Sequence, residues 1–334
     1  MHRAHGALLR HIDFDSRQPD SQMTERIPLL IDTDPGVDDA LALLMAFADT
    51  RHDVVGLTIA AGNVGLHHTV ANALKLCEVA GRGDIPVYAG CEAPLLHPSP
   101  DAGNVHGLDG FGDVGYEAAV RLPETEHAAQ AILRLSHRHA GKLLLVALGP
   151  LTNLALALKL DPTLPERVAR LVVMGGAVTC RGNITPAAEF NVYFDPEAAR
   201  IVFAAFPHFD LADWEATVAH GLHHDSVVEW LRGGGDVAAF YERISRKTRE
   251  WSADRRGDHW HSADGLAMAY ALHPDGALET AERPLDVALE GPHARGATLV
   301  DWQRQTGRPD RARILLRYDQ ARFEALVRGA VGAA

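Results

Sequence analysis

The sequence predicts an α/β domain with a mostly parallel central sheet covered by helices on both faces. Three observations support this class: wholly apolar segments recur along the chain, helical patterns follow most of them, and polar residues come directly after the apolar segments. Strands that are apolar on both faces are typical of parallel sheets buried between helices. The 334 residues contain no internal repeat or low-complexity linker. We therefore predict a single domain with a Rossmann-like sheet.

The predicted elements alternate along the chain. The strand "PLLID" precedes a helix over 39–48, "VVGLTIAAGN" precedes a helix from about 67 to 80, and "IPVYAG" precedes a loop. Further on, "KLLLVALGPLTN" leads into the helix "LALALKL", and "ARLVVMGGAV" leads into a long polar loop. The glycines at 233–235 are interpreted as a surface turn. Since ligands collect at the carboxyl ends of parallel strands, the polar residues after these strands mark the candidate site.

Composition and charge limit the classes of partner. The formal net charge is -12 and no basic run occurs, which argues against nucleic acid or an anionic membrane as partner. No apolar segment approaches the length of a membrane span. The three cysteines, Cys77, Cys91 and Cys180, lie far apart, which predicts neither a zinc site nor a disulfide framework and favours a reducing cytoplasm.

The N-terminal segment lacks the features of a secretory peptide. Residues 1–22 contain charges and histidines but no continuous apolar region and no small-residue cleavage signal. We therefore expect a disordered or loosely docked extension over 1–22, with the folded domain over 23–334.

A cluster of carboxylates follows the first predicted strand. Four aspartates fall within eight residues: Asp32, Asp34, Asp38 and Asp39. Carboxylates so close repel one another unless a cation neutralises them, and oxygen ligands suit Ca²⁺ or Mg²⁺. Asp38 and Asp39 point about 100° apart on a helix, so one can bind a cation while the other faces a ligand. An Asp-rich helix cap would explain one or two of these residues, but not four beside a Pro-Gly turn.

Several long motifs, in a fixed order, resemble one known family. "DTDPGVDDALAL" resembles the signature of the nucleoside hydrolases, the inosine-uridine-preferring N-ribosyl hydrolases. The similarity extends from Ile27 to about Leu326 and includes "AAGN", "VHGLDGFG", "LGPLTNLALAL", "VVMGGAVTCRGNITPAAEFNVYFDPEAA" and "SADGLAMAYALHP". Such a series is far more specific than any single short motif. The resemblance implies the nucleoside hydrolase fold and release of ribose and a free base from nucleosides in salvage.

The resemblance also implies roles for individual residues and a homodimer or homotetramer. Ca²⁺ would be bound by Asp34, Asp39, the carbonyl of Leu148 and Asp264. Asp34 would also orient and deprotonate the attacking water. The ribose would be held by Asp38, Asn63, Asn183, Glu189 and Asn191, with Met174 close to the sugar. His106 would lie near the base or the mouth of the site.

These residue types suit cleavage of an N-glycosidic bond. The reaction passes through an oxocarbenium-like sugar, which carboxylates stabilise. A bound cation lowers the pKa of its water, and a carboxylate can then complete the activation. Simpler interpretations exist for each residue taken alone. Asn63 and Asn183 could be turn residues, Glu189 and Asn191 could alternate on a strand, Met174 could fill the core, His106 could be a surface histidine, and Asp264 could cap a helix.

One position departs from the family pattern. Many relatives carry His directly before the last aspartate ligand, where it can protonate the departing base, but this chain has Ala263. This argues against efficient cleavage of inosine, because purines benefit most from protonation. The proton could come from solvent or not be supplied at all. The candidate side chains are His106, His261, Tyr241 and Trp260.

Two other functions compete with hydrolysis of nucleosides. A haloacid-dehalogenase-like phosphatase would use "LLIDTDPG" as a nucleophile loop, with Lys159 and "GDHWHSAD" in supporting roles. That function leaves Asp38, Asp39 and "EFN" unexplained. A non-catalytic binder of ribose or nucleosides would explain Ala263, but it does not explain retention of Asp34 and the metal ligands.

Overall fold

The computed structural model describes residues 26–332, and the predicted extension over 1–22 lies outside them. Eight strands form one sheet, in the spatial order β3-β2-β1-β4-β5-β6-β12-β9. All neighbours in this sheet run parallel except β9, which pairs antiparallel with β12. Two further pairs, β7 with β8 and β10 with β11, are antiparallel. The predicted fold class, a single α/β domain with a mostly parallel sheet, is confirmed.

The strands and helices have the following bounds. The strands are β1 (Ile27–Thr33), β2 (His52–Ile59), β3 (Val87–Ala89), β4 (Leu143–Ala147), β5 (Val168–Met174), β6 (Phe209–Ala212), β7 (Leu222–His223), β8 (His259–Trp260), β9 (Ala277–Arg283), β10 (Leu285–Val287), β11 (Thr298–Val300) and β12 (Ala312–Tyr318). The helices are α1 (Val37–Ala48), α2 (Leu66–Val79), α3 (Gly103–His106), α4 (Ala128–Arg138), α5 (Thr152–Leu160), α6 (Phe190–Phe194), α7 (Pro196–Ala205), α8 (Trp214–Ala219), α9 (His224–Gly233), α10 (Asp236–Arg256), α11 (Ala263–Leu272) and α12 (Gln320–Ala330). Short 3₁₀ turns occur at Leu164–Glu166 and Pro274–Gly276.

The sheet separates two apolar cores because successive side chains of a strand point to opposite faces. Leu29 and Ile31 of β1 pack into the core that includes α1, α2, α10, α11 and α12. Leu30, between them, packs into the core that includes α4, α5 and α7. Among the described residues, no helix is long and apolar enough to cross a membrane.

The order in which strands are added to the sheet reverses between β1 and β4. From β1 the chain adds β2 and β3 on one side, and it then crosses to add β4, β5 and β6 on the other. Asp32 is in register with Thr58 of β2 and Ala147 of β4. The carboxyl ends of these strands therefore form the crevice in which open α/β sheets bind ligands.

The predicted boundaries were close, with two informative differences. Helix α1 begins at Val37, before the predicted start, because Gly36 is the N-cap and its N–H donates to the Asp39 carboxylate at 3.0 Å. The strand interpretation of Glu189 and Asn191 is wrong. Glu189 is the N-cap of α6, and its side chain accepts the Asn191 N–H. Of the surface turn predicted at 233–235, Gly234 and Gly235 connect α9 and α10, whereas Gly233 is the last residue of α9.

Candidate active site

One pocket at the carboxyl end of the sheet collects most of the predicted site residues. Its lining includes the following predicted residues: Asp38, Asn63, His106, Leu148, Met174, Asn183, Glu189, Asn191, His261 and Asp264. We call it the site pocket. Asp34 and Asp39 lie beside it and are fully buried. The folded chain thus brings together residues that are separated by more than two hundred positions in the sequence.

Backbone atoms of Gly62, Asn63 and Gly149 surround the Asp34 carboxylate closely and form what we call its seat. The Asp34 Oδ2 accepts the N–H of Asn63 at 2.7 Å. Glycine is required on both sides, because a Cβ at Gly62 or Gly149 would collide with the Asp34 carboxylate. Burial, reinforced by the charge of Asp39, raises the pKa of Asp34 well above its ordinary value. This carboxylate is therefore held in one orientation and accepts a proton more readily than an exposed aspartate.

Asn63 joins Asp34 to Asp39. Its side-chain amide donates to the backbone carbonyl of Asp34 at 3.1 Å and to Oδ2 of Asp39 at 2.9 Å. The Thr33 hydroxyl donates to the other Asp39 oxygen. Both amide hydrogens of Asn63 are thus used within the protein, and only its carbonyl oxygen remains for a ligand. A plain turn role does not account for these bonds.

Three carboxylates form what we call the aspartate cluster: Asp38, Asp39 and Asp264. One oxygen atom from each lies within 4.8 Å of the others. Burial, together with the charges of Asp38, Asp39 and Asp34, raises the pKa of Asp264 well above its ordinary value. The buried Oδ1 of Asp38 has no hydrogen-bond partner among the described residues. This arrangement suits a hard cation, which would relieve the repulsion and occupy the unpaired oxygen.

The aspartate cluster differs from the ligand set implied by the resemblance. It contains Asp38, which was expected to bind the sugar, and it does not contain Asp34. The oxygens of Asp34 instead face the Asn63 N–H and the backbone at Gly149. Asp264 is the second residue of α11, whereas Ser262 is its N-cap, so Asp264 is not the helix cap.

Glu189 and Asn191 organise another part of the wall of the site pocket. The Asn191 amide donates to the carbonyl of Leu148 and, at 3.3 Å, to that of Met174. The Glu189 carboxylate accepts the N–H groups of Gly176 and Asn191, each at 2.8 Å. Burial raises the pKa of Glu189 to about 7 against these bonds. The two side chains are therefore fixed before any ligand arrives.

Asn183 lies at the exposed mouth of the site pocket. Its Oδ1 accepts the N–H of Phe190 at 2.9 Å, which ties the loop after β5 to the start of α6. The turn interpretation of Asn183 is consistent with this bond. Its amide nitrogen remains available toward the pocket.

Comparisons with known proteins show the family of this chain. The family model described as inosine-uridine preferring nucleoside hydrolase matches residues 29–325. This chain belongs to that family. A probable uridine nucleosidase 1 of Oryza sativa subsp. japonica is 36% identical over 257 residues, which cover 76% of this chain and 79% of the rice protein.

A bacterial relative and a solved structure extend the match to nearly the whole chain. The pyrimidine-specific ribonucleoside hydrolase RihA of Citrobacter koseri is 34% identical over 305 residues, 90% of this chain and 96% of its own. A structure described as inosine-guanosine nucleoside hydrolase has a TM-score of 0.85 at 29% identity, covering 92% of this chain and 99% of that one. This nucleoside hydrolase is thus an enzyme that hydrolyses N-glycosyl bonds of ribonucleosides. The phosphatase alternative finds no support in these matches.

His106 of this nucleoside hydrolase is buried in the pocket wall, so it is not a surface histidine. Its Nδ1 accepts the N–H of Val37 at 3.1 Å, which leaves the proton of the neutral ring on Nε2. Burial lowers the pKa of His106 to about 4. At neutral pH it is therefore a neutral hydrogen-bond donor.

The other candidates for the leaving-group acid have different environments. His261 is half-buried in the pocket wall, and burial together with the charge of Arg256 lowers its pKa to about 4. The Tyr241 hydroxyl donates to the carbonyl of Val37 at 3.2 Å, and this residue does not line the site pocket. Trp260 lines the pocket, but an indole N–H does not give up its proton.

Part of the pocket wall carries no residue that the sequence singled out. Thr248, Trp251 and Arg256 line it from α10, and Trp214 lines it from the start of α8. Ser252 lines it too, and the spacings of three from Thr248 to Trp251 and of four from Thr248 to Ser252 and from Ser252 to Arg256 place these residues on one helix face. This spacing could have indicated a functional helix face from the sequence, since polar, aromatic and basic residues share the face that turns toward the site. Trp214 carried no comparable signal.

Proposed function

We propose that this nucleoside hydrolase is Ca²⁺-dependent, releases ribose and a free base, and acts in nucleoside salvage. One observation carries the proposal: Asp38 and Asp264 of the aspartate cluster line the same pocket as Glu189 and Asn191. A sugar bound there would have its hydroxyls between carboxylates and amides that are already in place. The scattered free cysteines, one of them the exposed Cys180, support action in a reducing cytoplasm.

The residues around the aspartate cluster fit calcium. We assign the ion to Asp34, Asp39, the Leu148 carbonyl and Asp264, and the short spacing of the cluster adds Asp38 as a neighbour. These donors are all oxygens and include a backbone carbonyl, a mixture that calcium accepts with flexible geometry. When bound, the cation would lower the pKa of the attacking water.

Asp34 is proposed as the base that accepts the proton of that water. The seat between Gly62 and Gly149 fixes the orientation of the carboxylate, so the proposed base is positioned before the water binds.

We propose that the sugar binds between the aspartate cluster and the side chains of Glu189 and Asn191. Its hydroxyls would be held by the following residues: Asp38, Asn63, Asn183, Glu189 and Asn191. Met174 is buried and close to the Asn191 amide, which supports a place for it under the sugar. Positive charge developing on the ribose ring would be stabilised by the surrounding carboxylates.

The base would lie toward His106 and His261. Both side chains are neutral at pH 7, so each can donate or accept a hydrogen bond. We propose that they hydrogen-bond to the base and that either of them could also transfer a proton to it. Ala263 lines the same pocket and has no proton to transfer.

We also propose that the protein forms a homodimer or homotetramer. Light scattering after size-exclusion chromatography measures the mass of the assembly and tests this proposal.

A ribose-release assay over a panel of nucleosides tests the proposed function. We expect reducing sugar from at least one of uridine, cytidine, inosine, guanosine and adenosine, with equimolar free base. Binding of nucleosides without turnover would instead favour a non-catalytic binder. Release of phosphate from phosphate esters, without ribose from any nucleoside, would contradict the proposal.

Replacing Asp264 with asparagine is expected to weaken calcium binding by at least the 10–100-fold typical of a disturbed metal site, about 1–3 kcal/mol. The same change removes one charge from the aspartate cluster, so the calcium-free protein should gain thermal stability. Calorimetric titration with Ca²⁺ and thermal unfolding with and without the ion measure both effects. Asp213→Asn is the control, because Asp213 is a buried aspartate that caps α8 outside the cluster. Equal calcium affinity in Asp264→Asn and wild type would contradict the assignment.

A further inference from the structure

One part of the pocket wall combines a cation with two indole rings. We call Trp214, Trp251 and Arg256 the arginine–tryptophan wall. These three residues line the same pocket as Ala263 and Asp264. A ribose held by the carboxylates and amides at the sheet would extend its base toward another part of this pocket. Flat aromatic faces and a cation form a suitable surface for a planar base that carries carbonyl oxygens.

The guanidinium of Arg256 lies over two indole rings. Its carbon lies 4.5 Å from the ring centre of Trp214 and 5.4 Å from that of Trp251. Arg246 on the same helix pairs with Glu242, whereas Arg256 forms no ion pair with any described residue. Contact with the two rings restricts the position of the group, and without an ion-pair partner in the part of the chain that the structure describes its N–H donors are available to a ligand. Arg256 is thus a partly buried cation with hydrogen-bonding capacity to spare.

Arg256 also lies close to the reacting part of the site pocket. Burial lowers the pKa of its guanidinium, and the charge of Asp38 acts in the opposite direction. On its other side, the charge of Arg256 contributes to the low pKa of His261. An arginine remains protonated at physiological pH, so it cannot act as a proton donor. It can instead form charge-assisted hydrogen bonds to an anion.

We propose that Arg256 stabilises the departing base as an anion and so takes over the task that an acid at position 263 would perform. This inference rests on the proposed nucleosidase function. It explains how a pocket with Ala263 and two neutral histidines can still release a base. The donors are in place before the reaction, as electrostatic stabilisation of a developing charge requires.

The step balances without a proton donor at the base. The C1′–N bond breaks and its electron pair stays on the base nitrogen, while the water oxygen forms a bond to C1′. One water proton passes to Asp34 and from there to solvent. The base anion, held by Arg256, takes a proton from solvent after release, so that nucleoside and water give ribose and neutral base.

The proposal defines a substrate class. Arg256 would favour bases that form stable anions and present carbonyl oxygens to a guanidinium, as uracil does. Cytosine forms a less stable anion, and adenine has no carbonyl oxygen. We therefore expect uridine to be cleaved faster than cytidine or adenosine, with the difference mainly in kcat.

The test compares Arg256→Gln with wild type on uridine and on p-nitrophenyl riboside, whose leaving group needs little help. We expect kcat/KM for uridine to fall about 10²–10³-fold, the cost of removing one preorganised donor to a developing anion. The loss on p-nitrophenyl riboside should be less than about tenfold, because that anion is already stable. Activity on the activated substrate also shows that the variant is folded.

The neighbouring residue provides a matched control. Arg255 is exposed, stacks on the same Trp251 ring at 4.7 Å and does not line the site pocket, so Arg255→Gln should keep wild-type kcat/KM on both substrates. Arg256→Lys should recover part of the loss on uridine. Equal losses on both substrates would show that Arg256 only supports the wall, and an unchanged rate on uridine would show that it does not contact the base. Either result overturns this inference while the proposed function stands. Absence of turnover by wild type would overturn both.

Discussion

Asp34→Asn is expected to lower kcat for ribonucleoside hydrolysis by at least about 10³-fold, within the range for loss of a positioned general base. The amide has nearly the same shape as the carboxylate and can still accept the N–H of Asn63, so the seat between Gly62 and Gly149 is preserved. The amide loses the capacity to accept a proton and also the negative charge that Asp34 would offer the cation. Steady-state kinetics on the best nucleoside of the panel measure the effect.

Asp32→Asn is the matched control for this change. Asp32 is also buried at the end of β1, but its carboxylate accepts bonds from Thr58 at 2.6 Å and from Asn153 at 3.0 Å. Burial raises the pKa of Asp32 to about 7, so an amide resembles a form that is already populated at neutral pH. We expect Asp32→Asn to stay within about tenfold of wild type. Near-native kcat in Asp34→Asn would show that another group activates the water.

Asn191→Ala is expected to cost about 2–4 kcal/mol in kcat/KM, which is typical of a lost contact to the reacting part of a substrate. The structure adds a second readout, because the Asn191 amide donates to the Leu148 carbonyl. Removing the amide frees that carbonyl, so calcium affinity should be kept or improved while catalysis falls. Kinetics and calcium titration on the same variant separate the sugar contact from damage to the cation site.

Asn183→Ala serves for comparison. Asn183 is exposed at the mouth of the pocket and its carbonyl oxygen is bound to the Phe190 N–H, so its loss should cost less than the loss of the buried Asn191. A loss below threefold in Asn191→Ala, or equal losses in the two variants, would contradict the proposed position of the sugar.

The sequence predicted the parts of the site that depend on strand order. Asp34, Asn63 and Leu148 follow β1, β2 and β4, and parallel strands bring their carboxyl ends to one edge. Apolar segments buried on both faces leave little freedom in where such strands lie. The single-domain fold and the position of Asp34 and Asn63 at this edge were therefore predictable from pattern, whereas the role of Leu148 was implied by the family resemblance.

Other features depend on tertiary contacts that no local pattern contains. Glu189 caps a helix instead of continuing a strand, because the N–H groups of Gly176 and Val192 converge on its carboxylate. Both amide hydrogens of Asn63 are used by aspartates 24 and 29 positions earlier. The arginine–tryptophan wall joins α8 to the end of α10, and the sequence between them does not indicate that the two meet.

Ribose release from the preferred nucleoside, measured before and after removal of calcium, tests the central claim most directly. The proposed function predicts that wild-type protein releases ribose, that EGTA reduces the rate to background, and that added Ca²⁺ restores it better than Mg²⁺. The flexible set of oxygen donors around the aspartate cluster is the reason for that preference. An undiminished rate in EGTA, with calcium shown to be absent from the protein, would contradict the claim.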